Sequence, residues 1–462
     1  MKILEIKILK GPNYWSVRRT KLIQMKLDLE EKENMPTNKI AGFRERLEKL
    51  LPSLVEHRCS VGTRGGFFQR VDEGTWMGHV IEHMALEIQT LAGMDTGFGR
   101  TRTAEGEKDG VYYVVFSYME EDAGVYAGRA AVRIAQALID NSEYDLANDI
   151  QKMREIREDT RLGPSTGCIV DEAVKRGIPY IRLNKHSLVQ LGYGVNQKRI
   201  RATIASTTGN IAVDIACDKE ETKALLGDAE IPVPRGTVIR SEEGLKDAVE
   251  KYGYPLVIKP IDGNHGKGNT TNINNWETAL TAFAAAKQYS RSVIVEKFIT
   301  GFDFRCLVIN YKFICAALRT PAAVTGDGEH NIQWLIDETN KDPRRGYGHE
   351  KVLTQITIDQ FTQKMLDDAG YTLETVPPKG ELVLLKPTAN LSTGGTSTDV
   401  TDEVHPANIF MFERIARIIG LDICGIDVMA TDLRTPVSEN GGAILEVNAA
   451  PGFRMHIDPS EG

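Results

Sequence analysis

The sequence predicts a multidomain protein of mixed α/β and α+β class. A chain of 462 residues is longer than a single compact core usually holds, so two or three domains are expected. A Leu-Gly-Pro-Ser-Thr stretch at 162–166 interrupts the hydrophobic pattern, and from about residue 238 strands and helices alternate. We therefore predict an α+β unit in residues 1–162 and an α/β nucleotide-binding unit in residues 163–462.

Hydrophobic periodicity predicts the elements of the first unit in order. The alternating start of the chain predicts a strand, and an alanine-rich amphipathic stretch and a charged stretch predict two consecutive helices. The predicted elements are strands at 2–9 and 111–118 and helices at 38–52, 75–92, 123–140 and 143–159.

In the second unit, a helix is predicted over 169–176 and a strand over 179–183. A further helix is expected to begin after Asp218 and to end near Gly227. The following strand–helix alternation fits two lobes that close on a ligand.

Composition excludes several classes of protein. The net charge of −8 argues against general affinity for nucleic acid. Six scattered cysteines form no C-x-x-C pair, which argues against a disulfide framework and against a cysteine zinc site. The sequence also has no long apolar run and no signal-like start, so we expect a cytoplasmic protein that does not contact membranes.

The segment 256–268, LVIKPIDGNHGKG, predicts a phosphate-binding hairpin. A strand carries Lys259 to its end, and Gly263, Gly266 and Gly268 let backbone N–H groups approach an anion while Lys267 adds charge. It is not a Walker A loop, because Gly268 stands where Ser or Thr would follow the lysine. A simple glycine turn between two strands is the alternative.

Downstream residues could complete a nucleotide site. Glu296 ends a strand-like run and, with Ile299, suits an adenine slot, whereas Asp303 suits ribose hydroxyls or the orientation of a lysine. Arg305 follows two residues later.

Two later strand-like runs place oxygen-bearing side chains among apolar neighbours: Asp427 in the first, Glu446 and Asn448 in the second. Mg²⁺ prefers such hard oxygen ligands. A second glycine and hydroxyl loop, 390–397, offers Ser392, Thr393 and Gly394 as donors for a substrate carboxylate or acyl-phosphate. A flexible turn is the alternative.

The first unit contains an H-x-x-E-H sequence. On a helix, His79 and His83 lie one turn apart, and this order is the inverzincin zinc motif, in which Glu82 activates water. Glu155 or Glu158 is the candidate third ligand. Two polar histidines on an amphipathic helix are the alternative to a zinc hydrolase.

The order of these residues resembles the ATP-grasp ligases over roughly residues 165–462. The resemblance implies an ATP-grasp fold, ATP and Mg²⁺ as cofactors, and joining of a carboxylate to an amine through an acyl-phosphate. Lys219, Lys259 and Lys267 would then bind phosphates, Glu296 and Ile299 would contact adenine, and Asp303 would lie near ribose. Asp427, Glu446 and Asn448 would hold Mg²⁺, with Arg305 and Arg319 neutralising the acyl-phosphate.

Longer segments resemble the cyanophycin synthetase family across the whole chain. They include MGHVIEHMALEIQTLAG, LGPSTGCIVDEAVKRGIPYIRLN and ILEVNAAPGFRMHIDPSEG. The resemblance implies addition of L-aspartate to the C-terminal carboxylate of cyanophycin, a polymer of aspartate that carries arginine on its side chains. It also implies an amino-terminal polymer-binding domain, in some members with zinc-dependent primer-generating hydrolysis, and a homotetramer.

Ser165 and Thr166, near the domain boundary, are further candidates for contact with the polymer. The family continues into a Mur-ligase-like domain that adds arginine. That domain has a G-x-x-G-K-T-type phosphate loop, which residues 1–462 do not contain, so aspartate addition alone is expected of them. A polymer-binding fragment without ligase turnover remains the alternative.

Overall fold

The structure is a computed structural model that describes residues 1–17, 21–261, 268–347 and 351–461. The chain divides into two compact units. The first comprises Met1–Leu162 with Ile181–His186, and the second comprises Gly163–Tyr180 with Ser187–Gly462. Among the described residues, no helix is both long and apolar enough to span a bilayer. The predicted multidomain mixture of helices and sheets is confirmed.

The first unit packs helices against a four-stranded antiparallel sheet of order β1-β2-β4-β3. Strands β2 and β4 are almost entirely buried, and their apolar residues form one core with the helices. The elements are β1 (Lys2–Leu9), β2 (Leu22–Asp28), α1 (Phe43–Leu50), α2 (Gly66–Glu73), α3 (Met77–Leu91), β3 (Gly99–Thr103), β4 (Val111–Ser117), α4 (Glu121–Asp140) and α5 (Leu146–Thr160).

One helix of this unit differs from the sequence-based expectation. The helix expected over 38–52 is shorter, because Gly42 has a φ of +66° and α1 starts only after it. Helix α3 is buried on almost every side, as expected of a helix that is apolar all round, yet it carries Glu82, His83 and Glu87 into the core. Charged groups in such a place need partners.

The second unit begins with α6 (Pro164–Lys175) and β5 (Tyr180–Arg182), whose last two residues belong to the first unit. The elements that follow up to the middle of the unit are β6 (Leu188–Leu191), β7 (Lys198–Arg201), β8 (Ile204–Ala205), α7 (Asn210–Cys217), α8 (Lys219–Asp228), β9 (Gly236–Ile239), α9 (Glu242–Tyr252), β10 (Leu256–Pro260), β11 (Thr270–Ile273), α10 (Trp276–Lys287) and β12 (Val293–Lys297). Strands β9 to β12 form an antiparallel sheet of order β11-β10-β12-β9, which packs against α9 and α10.

The remaining elements are β13 (Phe302–Ile309), β14 (Lys312–Thr320), β15 (Ala323–Thr325), α11 (Ile332–Thr339), β16 (Arg345–Gly346), β17 (Leu353–Thr354), α12 (Gln360–Asp368), β18 (Leu382–Leu384), β19 (Thr396–Asp399), α13 (Pro406–Ile419), β20 (Ile423–Ala430), β21 (Ala443–Asn448) and α14 (Arg454–Ile457). A five-stranded antiparallel sheet of order β19-β14-β13-β20-β21 packs one face against α13. The strand–helix alternation thus builds antiparallel sheets.

The hairpin between β13 and β14 explains part of this arrangement. Asn310 and Tyr311 form its two-residue turn, and their φ angles of +52° and +59° are those of a type I′ turn. This turn brings consecutive strands together directly. No crossover helix is required.

Candidate functional site

The face of the five-stranded sheet away from α13 carries charged side chains. Phe304 and Cys306 of β13 point into the core, so the alternate residues Asp303 and Arg305 point to the opposite face. Cross-strand pairing sets Asp303 opposite Arg319 and Arg305 opposite Asp427. Two acids and two arginines predicted from separate motifs therefore meet on adjacent strands.

These four side chains form a network of ion pairs. Arg319 Nη2 lies 2.5 Å from Asp303 Oδ1 and 3.2 Å from Asp427 Oδ2. Arg305 also donates to Asp427, from Nε and, at 3.2 Å, from Nη2. Burial raises the pKa of Asp303, and the charge of Arg319 offsets only part of that rise. The arrangement concentrates positive charge beside oxygen ligands.

Strand β21 adds two oxygen-bearing side chains to this face. Glu446 pairs with Asp427 across the strands, and Asn448 lies opposite Gly425. The Asn448 amide nitrogen is buried without a hydrogen-bond partner among the described residues. Gly425 keeps space open, since a Cβ there would come within 3.0 Å of Arg305 Nη1. We call Asp303, Arg305, Arg319, Asp427, Glu446 and Asn448 the acid–arginine cluster.

The donor set fits the predicted Mg²⁺ site. Asp427, Glu446 and Asn448 supply hard oxygen atoms from neighbouring positions of two paired strands. The two arginines now share Asp427, so a cation there would compete with them for this carboxylate.

A second group of charged side chains lies on the four-stranded sheet that β9 to β12 form. Glu296 of β12 is buried and accepts hydrogen bonds from Lys259 of β10, at 2.8 Å, and from Lys223 of α8. Burial lowers the pKa of Lys223 to about 8, with a further lowering from Lys259, although Glu296 opposes it. Burial also raises the pKa of Glu296, but the two lysines outweigh this effect and the net shift is downward.

Lys223 is a functional candidate that the sequence analysis missed. The resemblance to ATP-grasp ligases implies Lys219 as a phosphate ligand, and the structure places it at the first residue of α8. Lys223 lies one turn later on the same helix and reaches Glu296 beside Lys259. The two lysines are four residues apart in the sequence and therefore lie close together on the helix surface. Only the orientation of α8 in the folded unit shows which of them contacts Glu296.

The other predicted nucleotide-binding residues surround this sheet or lie outside the described residues. Ile299 is half-buried just after β12, and Gly268 has a φ of +71°. Gly263, Gly266 and Lys267 lie outside the described residues, so the phosphate-binding hairpin stays a prediction.

The predicted substrate loop is anchored to the rest of the unit. Asn390 Oδ1 accepts a hydrogen bond from the Ser392 N–H, and Thr393 Oγ1 donates to the Asn390 carbonyl. The Gly394 carbonyl accepts from the buried Arg345. The chain then enters β19, whose Ser397 pairs with Arg319, so the loop leads directly to the acid–arginine cluster.

Ser165 and Thr166 form hydrogen bonds with two other segments of the second unit. Ser165 Oγ accepts a hydrogen bond of 2.8 Å from the Phe453 N–H, and Thr166 donates to the Ala202 carbonyl. Both contacts are structural. Near the same segment, burial lowers the pKa of His456 to about 4, as does the charge of Arg305, and its Nε2 is buried without a partner among the described residues. No sequence motif pointed to His456.

The first unit contains a separate cluster of potential metal ligands. Within the described part of the chain, ligand atoms of Cys59, His79 and His83 lie within 4.8 Å of one another. His79 Nε2 is 3.2 Å from Cys59 Sγ, and its Nδ1 is 3.0 Å from Thr75 Oγ1. We call Cys59, His79 and His83 the Cys–His cluster. Thiolate and imidazole are the usual zinc ligands.

This cluster offers a third ligand that differs from the two predicted glutamates. Glu155 accepts a hydrogen bond from Gln151, whereas Glu158 forms ion pairs with Arg157 and Arg161. Cys59, and neither glutamate, joins the two histidines. No sequence motif pointed to Cys59, because the cysteines form no C-x-x-C pair and Cys59 is 20 residues from His79.

Burial dominates the titration of this region. It lowers the pKa of His79 to about 4 and that of His83 well below its usual value, so both rings are neutral and able to coordinate. Burial raises the pKa of Glu82 to about 7, and a hydrogen bond of 2.7 Å from Thr101 opposes part of the rise. Such a carboxyl group suits general acid–base chemistry near neutral pH.

Two family models match the chain. The model described as a cyanophycin synthase-like N-terminal domain matches residues 24–140, and the model of an ATP-grasp domain matches residues 224–312.

Similar proteins match over longer stretches. Cyanophycin synthetase from Trichormus variabilis is 54% identical over all of this chain and 52% of its own length, and that from Synechocystis is 53% identical over all of this chain and 53% of its own. The chain therefore spans about half the length of these relatives. A bifunctional glutathione synthetase from Pasteurella multocida has a similar structure, with a TM-score of 0.52 and 29% identity, over 74% of this chain and 49% of that one.

Proposed function

The chain belongs to the cyanophycin synthetase family through its amino-terminal and ATP-grasp domains, and from this premise we propose that it adds L-aspartate to cyanophycin. The reaction is an ATP-dependent ligation at the C-terminal carboxylate of the polymer, through an acyl-phosphate. The observation that carries the proposal is the acid–arginine cluster, which joins oxygen ligands and arginines on one sheet face.

The chemistry requires charge neutralisation more than a nucleophilic side chain. The polymer carboxylate attacks the γ-phosphorus of ATP and ADP leaves; the deprotonated amine of aspartate then attacks the acyl carbon and phosphate leaves. Lys223 and Lys259 can exchange their bonds with Glu296 for bonds to phosphate oxygens. Arg305 and Arg319 can stabilise the charge that develops on the acyl-phosphate.

Mg²⁺, when bound, neutralises phosphate charge. In this chain Asp427, Glu446 and Asn448 would hold it. The loop at Ser392–Gly394 supports substrate binding, because it leads into the strand that pairs with Arg319.

The experiment is a turnover assay with a defined aspartate–arginine primer, ATP, Mg²⁺ and each amino acid in turn. ADP release should require both aspartate and primer, and Lys259→Ala should abolish it. Lys312→Ala, which removes an exposed lysine of β14, is the matched control and should keep full turnover. Unchanged turnover in Lys259→Ala would remove the assigned site.

Polymer retention without nucleotide hydrolysis would instead support the alternative of a binding fragment without ligase activity. The same preparation tests the expected homotetramer by analytical ultracentrifugation. A monomer at assay concentration would contradict that expectation.

A second candidate function is zinc-dependent hydrolysis of the polymer in the first unit, which would generate primers. The Cys–His cluster supports it, because two neutral histidines and a thiol converge there and Glu82 follows on the same helix. Metal analysis of the purified chain should find one zinc ion per chain, and Glu82→Gln should lose cleavage. Absence of zinc, or full cleavage by that variant, would exclude this function.

A further inference from the structure

A chain of hydrogen bonds, which we call the relay, leads from the Cys–His cluster to a buried carboxylate. His83 Nδ1 lies 2.8 Å from His57 Nδ1, and His57 Nε2 lies 2.7 Å from Glu87 Oε2. Glu87 is only 3% exposed and His83 only 7%, so water cannot readily replace these contacts. The ring of Phe67 stacks on His83 with the centroids 4.3 Å apart, which also fixes the plane of the imidazole.

The order of donors and acceptors along this chain follows from the carboxylate. Ionised Glu87 can only accept, so His57 carries a proton on Nε2. In neutral His57 the Nδ1 atom is then an acceptor, and it takes the Nδ1 proton of His83. The lone pair of His83 is thereby placed on Nε2.

The neutral form of His57 is the one compatible with a loaded site. A doubly protonated His57 would donate to His83 Nδ1 and force the His83 proton onto Nε2, where it would block coordination. It would also place another positive charge close to a divalent ion.

A simpler contact does the same for the other histidine. His79 Nδ1 is 3.0 Å from Thr75 Oγ1, and its Nε2 is the atom that lies 3.2 Å from Cys59 Sγ. Both histidines of the cluster thus use Nδ1 for a supporting hydrogen bond. Both keep Nε2 for a ligand.

We propose that Glu87 and His57 are positioning residues that hold His83 in the Nε2-coordinating tautomer and so tune the affinity of the Cys–His cluster for zinc. This inference rests on the proposed zinc-dependent hydrolase. Neither residue touches the metal or the polymer in this assignment. Supporting groups of this kind typically change metal affinity by about 10-fold to 100-fold when they are mutated.

The test measures zinc affinity of the full chain by competition with a chromophoric chelator. Glu87→Gln keeps the shape of the side chain but can also donate to His57, which reverses the direction of the relay; it should weaken zinc binding about 10-fold to 100-fold. Glu73→Gln makes the same chemical change at an exposed position of α2 and should bind zinc like the parent protein. Glu87→Gln with parental zinc affinity would overturn the proposal.

A second pair of variants keeps the test decisive if Glu87→Gln does not fold. His57→Phe removes the acceptor for His83 and should weaken zinc binding similarly, whereas His57→Gln retains both an acceptor and a donor and should recover part of the affinity. The visible absorption of the cobalt-substituted protein reports ligand geometry independently of stability, and it should change in His57→Phe. Identical spectra and affinities for the parent and His57→Phe would overturn the relay.

The outcome for the parent protein separates the two proposals. If the parent chain binds no zinc, the hydrolase fails and the relay fails with it. If the parent binds zinc and the Glu87 and His57 variants bind it equally well, only the relay fails.

Discussion

At the scale of single residues, two lysines of helix α8 differ in their contacts. Lys219 and Lys223 lie on the same helix four residues apart, yet only Lys223 shares Glu296 with Lys259. The sequence predicts a helix that begins after Asp218, and the structure has this helix as α8. It could not give the rotation of the helix, which depends on packing against the sheet.

We predict that Lys223→Met weakens ATP binding about 10-fold to 100-fold, while Lys219→Met has a much smaller effect. A hydrogen bond to a charged group contributes about 1.5–3 kcal/mol, and about 1.4 kcal/mol corresponds to a tenfold change in affinity. Isothermal titration calorimetry with ATP and Mg²⁺ measures both variants. Equal losses would mean that the Lys223–Glu296 contact does not mark the phosphate site.

The low pKa of Lys223 predicts a pH dependence. Burial, with help from Lys259, lowers this pKa to about 8, so the lysine is charged below pH 8 and loses its charge above it. Phosphate binding needs the charged form, and ATP affinity should therefore fall as pH rises through about 8.

The matched control for this pH dependence is Lys223→Arg, since a guanidinium stays charged throughout this range. The fall in affinity measured for the parent protein between pH 7 and 9 should be reduced in this variant. An identical pH profile would assign the dependence to another group.

At the scale of elements, helix α8 is the support for Lys223, and its start is fixed by Asp218. The Asp218 carboxylate accepts hydrogen bonds from the backbone N–H groups of Glu220 and Glu221. Asp218→Ala should destabilise the second unit by about 0.5–2 kcal/mol, as loss of an N-cap usually does, whereas Asp218→Asn keeps an acceptor and should cost less. Urea unfolding followed by circular dichroism measures both; equal stability of the Ala variant and the parent would contradict the cap.

The elements also show what sequence reasoning can recover. Asp427 and Glu446 are predicted because oxygen-bearing side chains lie among the apolar neighbours of strand-like runs, and alternation along one strand places Asp303 and Arg305 on the same face. Their pairing comes from the sheet order, which brings together residues more than 100 positions apart. Cys59 was missed for a similar reason: its neighbours along the chain say nothing of α3, and only the packing of the first unit brings it to His79.

At the scale of the whole molecule, the two proposed activities belong to different units with separate hydrophobic cores. Substitutions in the two sites should therefore act independently. Glu82→Gln should abolish polymer cleavage and leave aspartate-dependent ADP release unchanged, and Lys259→Ala should do the reverse. A double variant that differs from the product of the two single effects in either assay would contradict this separation.

Core-facing and outward-facing residues alternate along β13 and β20, and this alternation has a consequence for how the second unit can misfold. Phe304 and Cys306 on one face, and Asp303 and Arg305 on the other, exchange places if the strand pairs one residue out of register. Such a slip would bury uncompensated charge and expose the core at the same time, so faulty assembly and inactivation coincide. The specific ligase activity of a preparation should consequently be proportional to its folded fraction. Single-residue insertions in these strands should abolish folding and activity far more often than substitutions do.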